Sequence, residues 1–358
     1  MEQSTERKRV DGRLLYIDLL RIISCFAVII IHVSASNQYS VSVASTAWKA
    51  FNVYDGLARF AVPVFVMISG AMNLNPDKPF TFKELFKRRL LKITIAWAVW
   101  ELFYAFVDFI WRGAPVGPTA LLDFLETAAR GHYHLWFLPM LIGLYLTVPI
   151  LRAVTEKRDK NLVLYAIILF FLFSVLKPAL MLLQIPEAVK ELIDRIPLGV
   201  IGGYAGYFLL GYYLGTYPVS RRATVALAAL GLLGAGATVF ITALRSEDSG
   251  VTYGLMYDFM SLPVFFLSVG VFLLFQKAVP RLRLGDKTVK RITSLAACTL
   301  GIYLVHAFVT ERVYSFGLTT LSFNAAFSVP LIAVLDFVVS WLIVVALRRI
   351  PFAKKYLT

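Results

Sequence analysis

Apolar runs of about twenty residues recur along the chain, each bounded by a short polar or charged segment, and this pattern predicts a series of membrane-crossing helices. The runs lie near 15–36, 52–73, 90–111, 135–151, 161–184, 197–217, 222–245, 253–276, 293–316 and 323–347. The expected fold is therefore all-α: a polytopic integral membrane protein with about ten transmembrane helices. With the N-terminus placed inside, the cytoplasmic segments hold 26 Lys and Arg residues and the outer segments 8. That asymmetry predicts that both termini are cytoplasmic. The expected organisation is a cytoplasmic tail over 1–14, one transmembrane domain over 15–347 and a second cytoplasmic tail over 348–358.

Composition agrees with the pattern. Of 358 residues, 59% are apolar and only 16% charged, and the mean hydropathy is +0.72. The formal charge of +14 would suggest a nucleic-acid partner in a soluble protein, but these cations sit in short loops between apolar runs and so report topology. Cys25 and Cys298 both fall in apolar stretches, with no disulfide framework or zinc spacing. The charged start, MEQSTERKRVDGR, leads into a span too long for a signal-peptide core and reads as a retained tail. The outer loops 112–134 and 178–197 are long enough for short interfacial helices. Residues 77–92, DKPFTFKELFKRRLLK, are expected along the inner interface, where their charge would also attract an anionic cytosolic cofactor.

Chemistry concentrates in the first run. Arg21 and His32 are eleven residues apart, which on a helix puts them on one face and roughly 16 Å apart. Asp18, Ser24, Cys25 and Ser36 flank the same stripe. An intramembrane arginine is costly unless it faces protein or water, which makes Arg21 a candidate functional residue. Its simpler account is snorkelling to the interface, and that of His32 is helix packing. The second run holds Arg59 in its outer third, then Pro63, and Ser69 with Gly70 near its inner end. Glu101 lies midway along the third. His132, His134 and Trp136 open the fourth, where aromatic-belt residues are also expected, and His306 lies in the outer half of the ninth. All four histidines thus fall on the outer side of the midplane, and histidine exchanges protons near neutral pH. Asp258 and Asp336 are further intramembrane carboxylates, for which pairing with a nearby arginine is the simplest account. No metal-ligand spacing, Walker loop, dinucleotide fingerprint or G-x-S-x-G elbow is present, so no metal site is predicted.

Several segments together resemble one family. Arg21 and His32 in R-x10-H spacing, then RFAVPVFVMISG, YHLWFLPMLIGLYLTVPIL, GYFLLGYYLG and LGIYLVH occur in the order found in the membrane acyltransferase 3 family. The chain is most similar to its stand-alone O-acetyltransferases, which lack a fused extracellular hydrolase-like domain. Ala71 departs from the bulky residue that often follows the Ser-Gly pair. The resemblance implies transfer of an acyl group, usually acetyl, from cytosolic acyl-CoA to a hydroxyl of an extracytoplasmic surface glycan or lipid-linked sugar. His32 matches the family's catalytic histidine, Arg21 the arginine of the same motif and Arg59 the arginine of the second helix.

On that reading acetyl-CoA is the acyl donor, bordered by Arg21, Asp18, Arg59 and Ser69. His32 is the general base on the acceptor hydroxyl, Arg59 stabilises the oxyanion and Glu101 orients or charge-stabilises a partner. His134, Trp136 and His306 border the acceptor. The expected location is a bacterial-type cytoplasmic membrane, with the outer helix faces meeting lipid or a second protomer in a homo-oligomer. A rival reading from another class is a transporter or exporter that moves a polysaccharide unit or small polar solute along the same polar seam.

Overall fold

The computed structural model describes residues 9–10, 13–111, 117, 119–195 and 203–358. Its helices, in chain order, are α1 (Leu15–Gln38), α2 (Thr46–Ala58), α3 (Ala61–Asn73), α4 (Phe82–Glu84), α5 (Leu91–Trp111), α6 (Ala120–Arg130), α7 (Phe137–Glu156), α8 (Lys160–Phe170), α9 (Lys177–Met181), α10 (Glu187–Asp194), α11 (Tyr204–Thr216), α12 (Arg221–Ser249), α13 (Leu262–Ala278), α14 (Asp286–Ala296), α15 (Thr299–Ser315), α16 (Ala325–Leu347) and α17 (Pro351–Tyr356). Single π-helical turns at Leu85–Leu90 and Phe171–Leu176 join α4 to α5 and α8 to α9. The departure from an all-α chain is a two-residue antiparallel ladder, Arg9–Val10 with Arg13–Leu14.

Among the described residues, eight helices or helix pairs are long and apolar enough to cross a membrane. A ninth is counted when α14 and α15, which meet at 58°, form one broken span. The expected run near 197–217 is described only in part: α11 has 13 residues, and residues 196–202 lie outside the described set. The architecture is that of a multi-pass membrane protein. The predicted interfacial segments hold the short helices α6 and α10, while residues 112–116, 118 and 196–197 of those loops are outside the described residues.

Helix α1 is the central post. It packs against α2, α3, α13, α14, α15 and α16, and 61% of its apolar window is buried, against 22% for each of the windows containing α8 and α12. A helix that is apolar nearly all round is stable only when surrounded, and the neighbours of α1 supply that shell while α8 and α12 turn most of their surface outward. The polar stripe of α1 is thus enclosed by protein.

The run expected as one helix over 52–73 is broken at Arg59 and Phe60, between α2 and α3. Pro63 has no N–H to offer the carbonyl of residue 59, so the ladder cannot run through. Helix α3 then packs backbone to backbone on α11. A Cβ built on Gly70 would lie 1.8 Å from the Phe208 carbonyl oxygen, and one on Gly211 would lie 1.9 Å from that of Met67. Small residues let apolar helices approach this closely, which is how helices associate where no hydrophobic force acts between them. Gly231 and Gly234 of α12 do the same against α13.

Two intramembrane pairings differ from expectation. Asp336 pairs with no arginine: it is fully buried and accepts from the hydroxyls of Thr310 and Ser340. Asp258 lies outside the helices, exposed, and accepts from the backbone N–H of Met260 in a turn. Asp55 does pair with an arginine: its Oδ2 lies 2.6 Å from Arg59 Nη2. Arg59 caps the end of α2 four residues after Asp55, the spacing that brings side chains together on a helix.

Candidate functional site

A cavity of about 650 Å³ runs beside α1. Arg21 and His32, eleven residues apart on α1, both line it, so it follows that helix for about three turns. Helix α3 gives it a second antiparallel edge. Near the end of α3, Met72 Sδ accepts from Arg21 Nη2 at 2.8 Å, and the Asn73 side chain accepts from Arg89. Arg59 stands just before its start and lines the cavity with His32. The cavity therefore has two chemically distinct ends.

One end is cationic. Arg21, Arg88, Arg89, Lys92, Arg348 and Lys354 all line the cavity, and no Asp or Glu does. Arg89 is steadied by Glu84 at 3.0 Å and Arg21 has Asp18 at 3.9 Å. This leaves a surplus of positive charge where α1, the start of α5 and the 348–358 segment converge. A concave region lined by one sign of charge concentrates the opposite ion.

The other end holds imidazole. His32, from α1, forms no hydrogen bond to the described residues through its side chain. Its ring centroid lies 5.2 Å from that of His306, 5.2 Å from Tyr133 and 6.5 Å from His134. His134 and His306 are 5.1 Å apart. His306 Nδ1 is 2.5 Å from the Tyr303 carbonyl oxygen and so donates to it, which leaves His306 Nε2 an acceptor with no protein partner. His132 stacks on Tyr104 at 4.1 Å. All four histidines, from α1, the α6–α7 connection and α15, form one cluster.

Arg59 is anchored. Its guanidinium pairs with Asp55, donates to the Tyr257 carbonyl oxygen at 3.3 Å and lies 4.6 Å from the Tyr257 ring centroid. Its Nε has no protein partner. Trp136, stacked on Phe259 at 5.9 Å, closes the same end.

Of the residues singled out in the sequence, Arg21, His32, Arg59, Ser69, His134 and Trp136 share this lining. Asp18, Glu101 and His306 stand behind it. Asp18 is 2% exposed and accepts from the Thr293 hydroxyl at 3.1 Å, close beside Arg21. Glu101 belongs to a second cavity, of about 360 Å³, together with Asp108, Trp111, His132, Tyr133 and Glu311. Its carboxylate accepts from Trp97 Nε1 at 2.9 Å and from the backbone N–H of His132 at 2.8 Å, so it fixes the loop that carries two histidines. Gly131, at φ 77°, makes the turn into that loop, and a Cβ there would lie 3.0 Å from Glu101 Oε1. Glu101→Ala leaves two half-buried donors without their acceptor and is expected to cost about 1 kcal/mol of stability. Glu101→Gln, which keeps an acceptor, should cost less, and thermal melts in detergent measure the difference.

Sequence reasoning missed Glu311, Arg348 and Lys354 as site residues. Glu311 lies five positions after His306, not the three or four that share a helix face, so no local spacing tied it to the imidazoles. Arg348 and Lys354 had been assigned only to a tail.

The sequence pattern of the acyltransferase domain family matches residues 14–348, nearly the whole chain. No curated protein and no solved structure matches it. The matched segment contains every helix from α1 to α16 and all of the cavity lining but Lys354 and Thr358. The chain belongs to the acyltransferase 3 family, whose members are membrane acyltransferases.

Proposed function

We propose that the protein transfers an acyl group, most simply acetyl, from cytosolic acyl-CoA to a hydroxyl of an extracytoplasmic glycan or lipid-linked sugar. The observation that carries this reading is the cavity with a cationic end, lined by no Asp or Glu, and an imidazole end, about 16 Å apart along α1. CoA has the matching polarity: a polyanionic nucleotide, then a long uncharged arm, then the reactive thioester. Arg21, Arg88, Arg89, Lys92, Arg348 and Lys354 take the phosphates on the cytoplasmic side. The arm then runs past Ser69, and the thioester stops at His32.

At that point His32 removes the hydroxyl proton as the oxygen attacks the carbonyl carbon, since an alcohol is a poor nucleophile while it keeps its proton. Its ring nitrogens form no hydrogen bond to the described residues and so are available to a substrate. Arg59 faces the negative charge that builds on the carbonyl oxygen. A fixed cation in a water-poor site contributes more to that stabilisation than it would in bulk water. Its ion pair with Asp55 holds the guanidinium in place and tempers its charge.

The test is acetyl-CoA binding to purified protein with the mouth reversed in charge. Arg348→Glu and Lys354→Glu are each expected to weaken binding roughly tenfold, or about 1.4 kcal/mol, with a smaller loss at high salt because these groups are partly screened. Unchanged affinity in both variants overturns this placement of the nucleotide.

A further inference from the structure

A chain of three side chains joins the two cavities. His134, which lines the larger one, has Nδ1 2.7 Å from Nδ1 of His132. His132 Nε2 lies 3.1 Å from Glu311 Oε1, and Glu311, 35% exposed, borders the second cavity. His134 Nε2 is buried with no protein partner. Ring nitrogens this close share a proton directly and leave no room for an ion between them. Among the described residues no metal-holding group of His, Cys, Asp or Glu occurs.

The polarity of the chain follows from what each atom can do. A carboxylate only accepts, so His132 Nε2 carries a proton. With no further proton on His132, its Nδ1 accepts from His134 Nδ1–H, and His134 presents a lone pair at Nε2. With one more proton, His132 donates from both nitrogens beside the Glu311 carboxylate. His134 then accepts at Nδ1 and presents an N–H at Nε2. Both states fit the same two distances, so a proton taken up or given at His134 Nε2 moves the shared proton between the two Nδ1 atoms with no movement of heavy atoms.

We propose that this chain is a proton relay working through His134 Nε2 and that His134 is the catalytic acid that protonates the departing CoA sulfur, with His132 holding the extra proton beside the Glu311 carboxylate. This rests on the acyl-transfer reading. The hydroxyl proton goes to His32 as the new C–O bond forms. As the C–S bond breaks, the sulfur takes the proton from His134 Nε2, and the His132 Nδ1 proton moves to His134 Nδ1. Between turnovers His32 loses its proton to solvent, and His134 Nε2 regains one from water in the emptied cavity as the His134 Nδ1 proton returns to His132 Nδ1. Acyl transfer to an alcohol needs a proton taken from the oxygen and one given to the sulfur; one imidazole can do both in turn, and the relay supplies the second from a separate, already charged group.

The relay must be protonated to act, while His32 must be neutral. The rate with acetyl-CoA should therefore be bell-shaped in pH, with the relay setting the alkaline limb. The groups that face it are His32 from α1, Glu101, Tyr104 and Asp108 from α5, Tyr133, and Tyr303, His306 and Arg312 from α15. None but Glu311 is within salt-bridge distance of the His132 ring.

The experiment compares wild type, Glu311→Gln, Glu311→Asp and His132→Gln in proteoliposomes, with acetyl-CoA and with S-(4-nitrophenyl) thioacetate, whose thiolate leaves without a proton. With acetyl-CoA, Glu311→Gln should lower kcat roughly tenfold to a hundredfold at unchanged KM and move the alkaline limb down by about one pH unit or more. Glu311→Asp should recover part of this, and His132→Gln should lose at least as much as Glu311→Gln. With the nitrophenyl donor the variants should match wild type. An equal loss with both donors, or an unmoved alkaline limb, overturns the relay and leaves acyl transfer standing.

A second readout needs no donor. In ¹⁵N spectra of histidine-labelled protein at alkaline pH, His134 should be protonated at Nδ1 and His132 at Nε2. An Nε2–H on His134 under those conditions overturns the relay whatever the activity. The expected spectrum with no CoA release from wild type, for any acceptor, upholds the hydrogen-bond chain and overturns its role at the CoA sulfur along with the acyl-CoA reading.

Discussion

His32→Ala is expected to lower acyl transfer by roughly 10²- to 10⁴-fold, the range over which a positioned acid or base contributes, or about 3–5 kcal/mol of transition-state stabilisation. Acetyl-CoA affinity should change little, because the phosphates bind at the far end of the cavity, about 16 Å away along α1. The loss belongs in kcat, and steady-state kinetics beside equilibrium binding separate the two. The His32 side chain forms no hydrogen bond to the described residues, so its removal leaves none of them with an unsatisfied partner and the fold should persist. Full transfer by the alanine variant in purified protein would remove His32 from the chemistry and return the cluster to a packing role.

The second large effect concerns the scaffold. Gly70→Leu and Gly211→Leu are expected to abolish the folded protein, seen as the loss of a monodisperse peak in detergent. In each case even the first added carbon would sit under 2 Å from a backbone carbonyl oxygen on the facing helix, and a backbone cannot swing aside as a side chain can. Alanine at either site should cost about 3 kcal/mol or more, at or beyond the upper end for overpacked cores. Gly236→Ala is the control, since nothing lies within 4 Å of a Cβ there. Helix α3 carries Ser69 along the cavity, sets Met72 against Arg21 and begins next to Arg59, so pushing it off α11 also displaces the site. A folded, active Gly70→Leu protein would show that this helix contact is not needed.

The site was partly legible because two regular spacings carry three-dimensional information. The 3.6-residue period put Arg21 and His32 on one face of α1, and both line the cavity. Apolar run lengths together with the Lys and Arg asymmetry put His32, His132, His134 and His306 at a similar depth, and they do form one cluster. Depth was readable for Glu101 as well, but not the face it uses. It sits in the second cavity, holding the backbone of His132.

Other features depend on how helices dock, which no local spacing encodes. The contact between His132 and Glu311 requires α15 to come beside the α6–α7 connection. Arg348 and Lys354 reach the cavity because the segment after α16 folds back toward the start of α5, where Lys92 Nζ donates to the Thr358 carbonyl oxygen at 3.1 Å. The break between α2 and α3 was signalled by Pro63 without being read as a boundary. Its consequence is functional, since Arg59 sits at the break, where its side chain leaves the helix face toward both Asp55 and the cavity.

The most direct test of the central claim is thiol release from acetyl-CoA by the purified wild-type protein in lipid, with and without a panel of surface-glycan acceptors, while solute accumulation in the same vesicles is followed. Acyl transfer predicts CoA release that depends on an acceptor and accompanies acylation of its hydroxyl, with no accumulation. Accumulation of a sugar or other polar solute without any consumption of acetyl-CoA would contradict it and make the cavity a transport path.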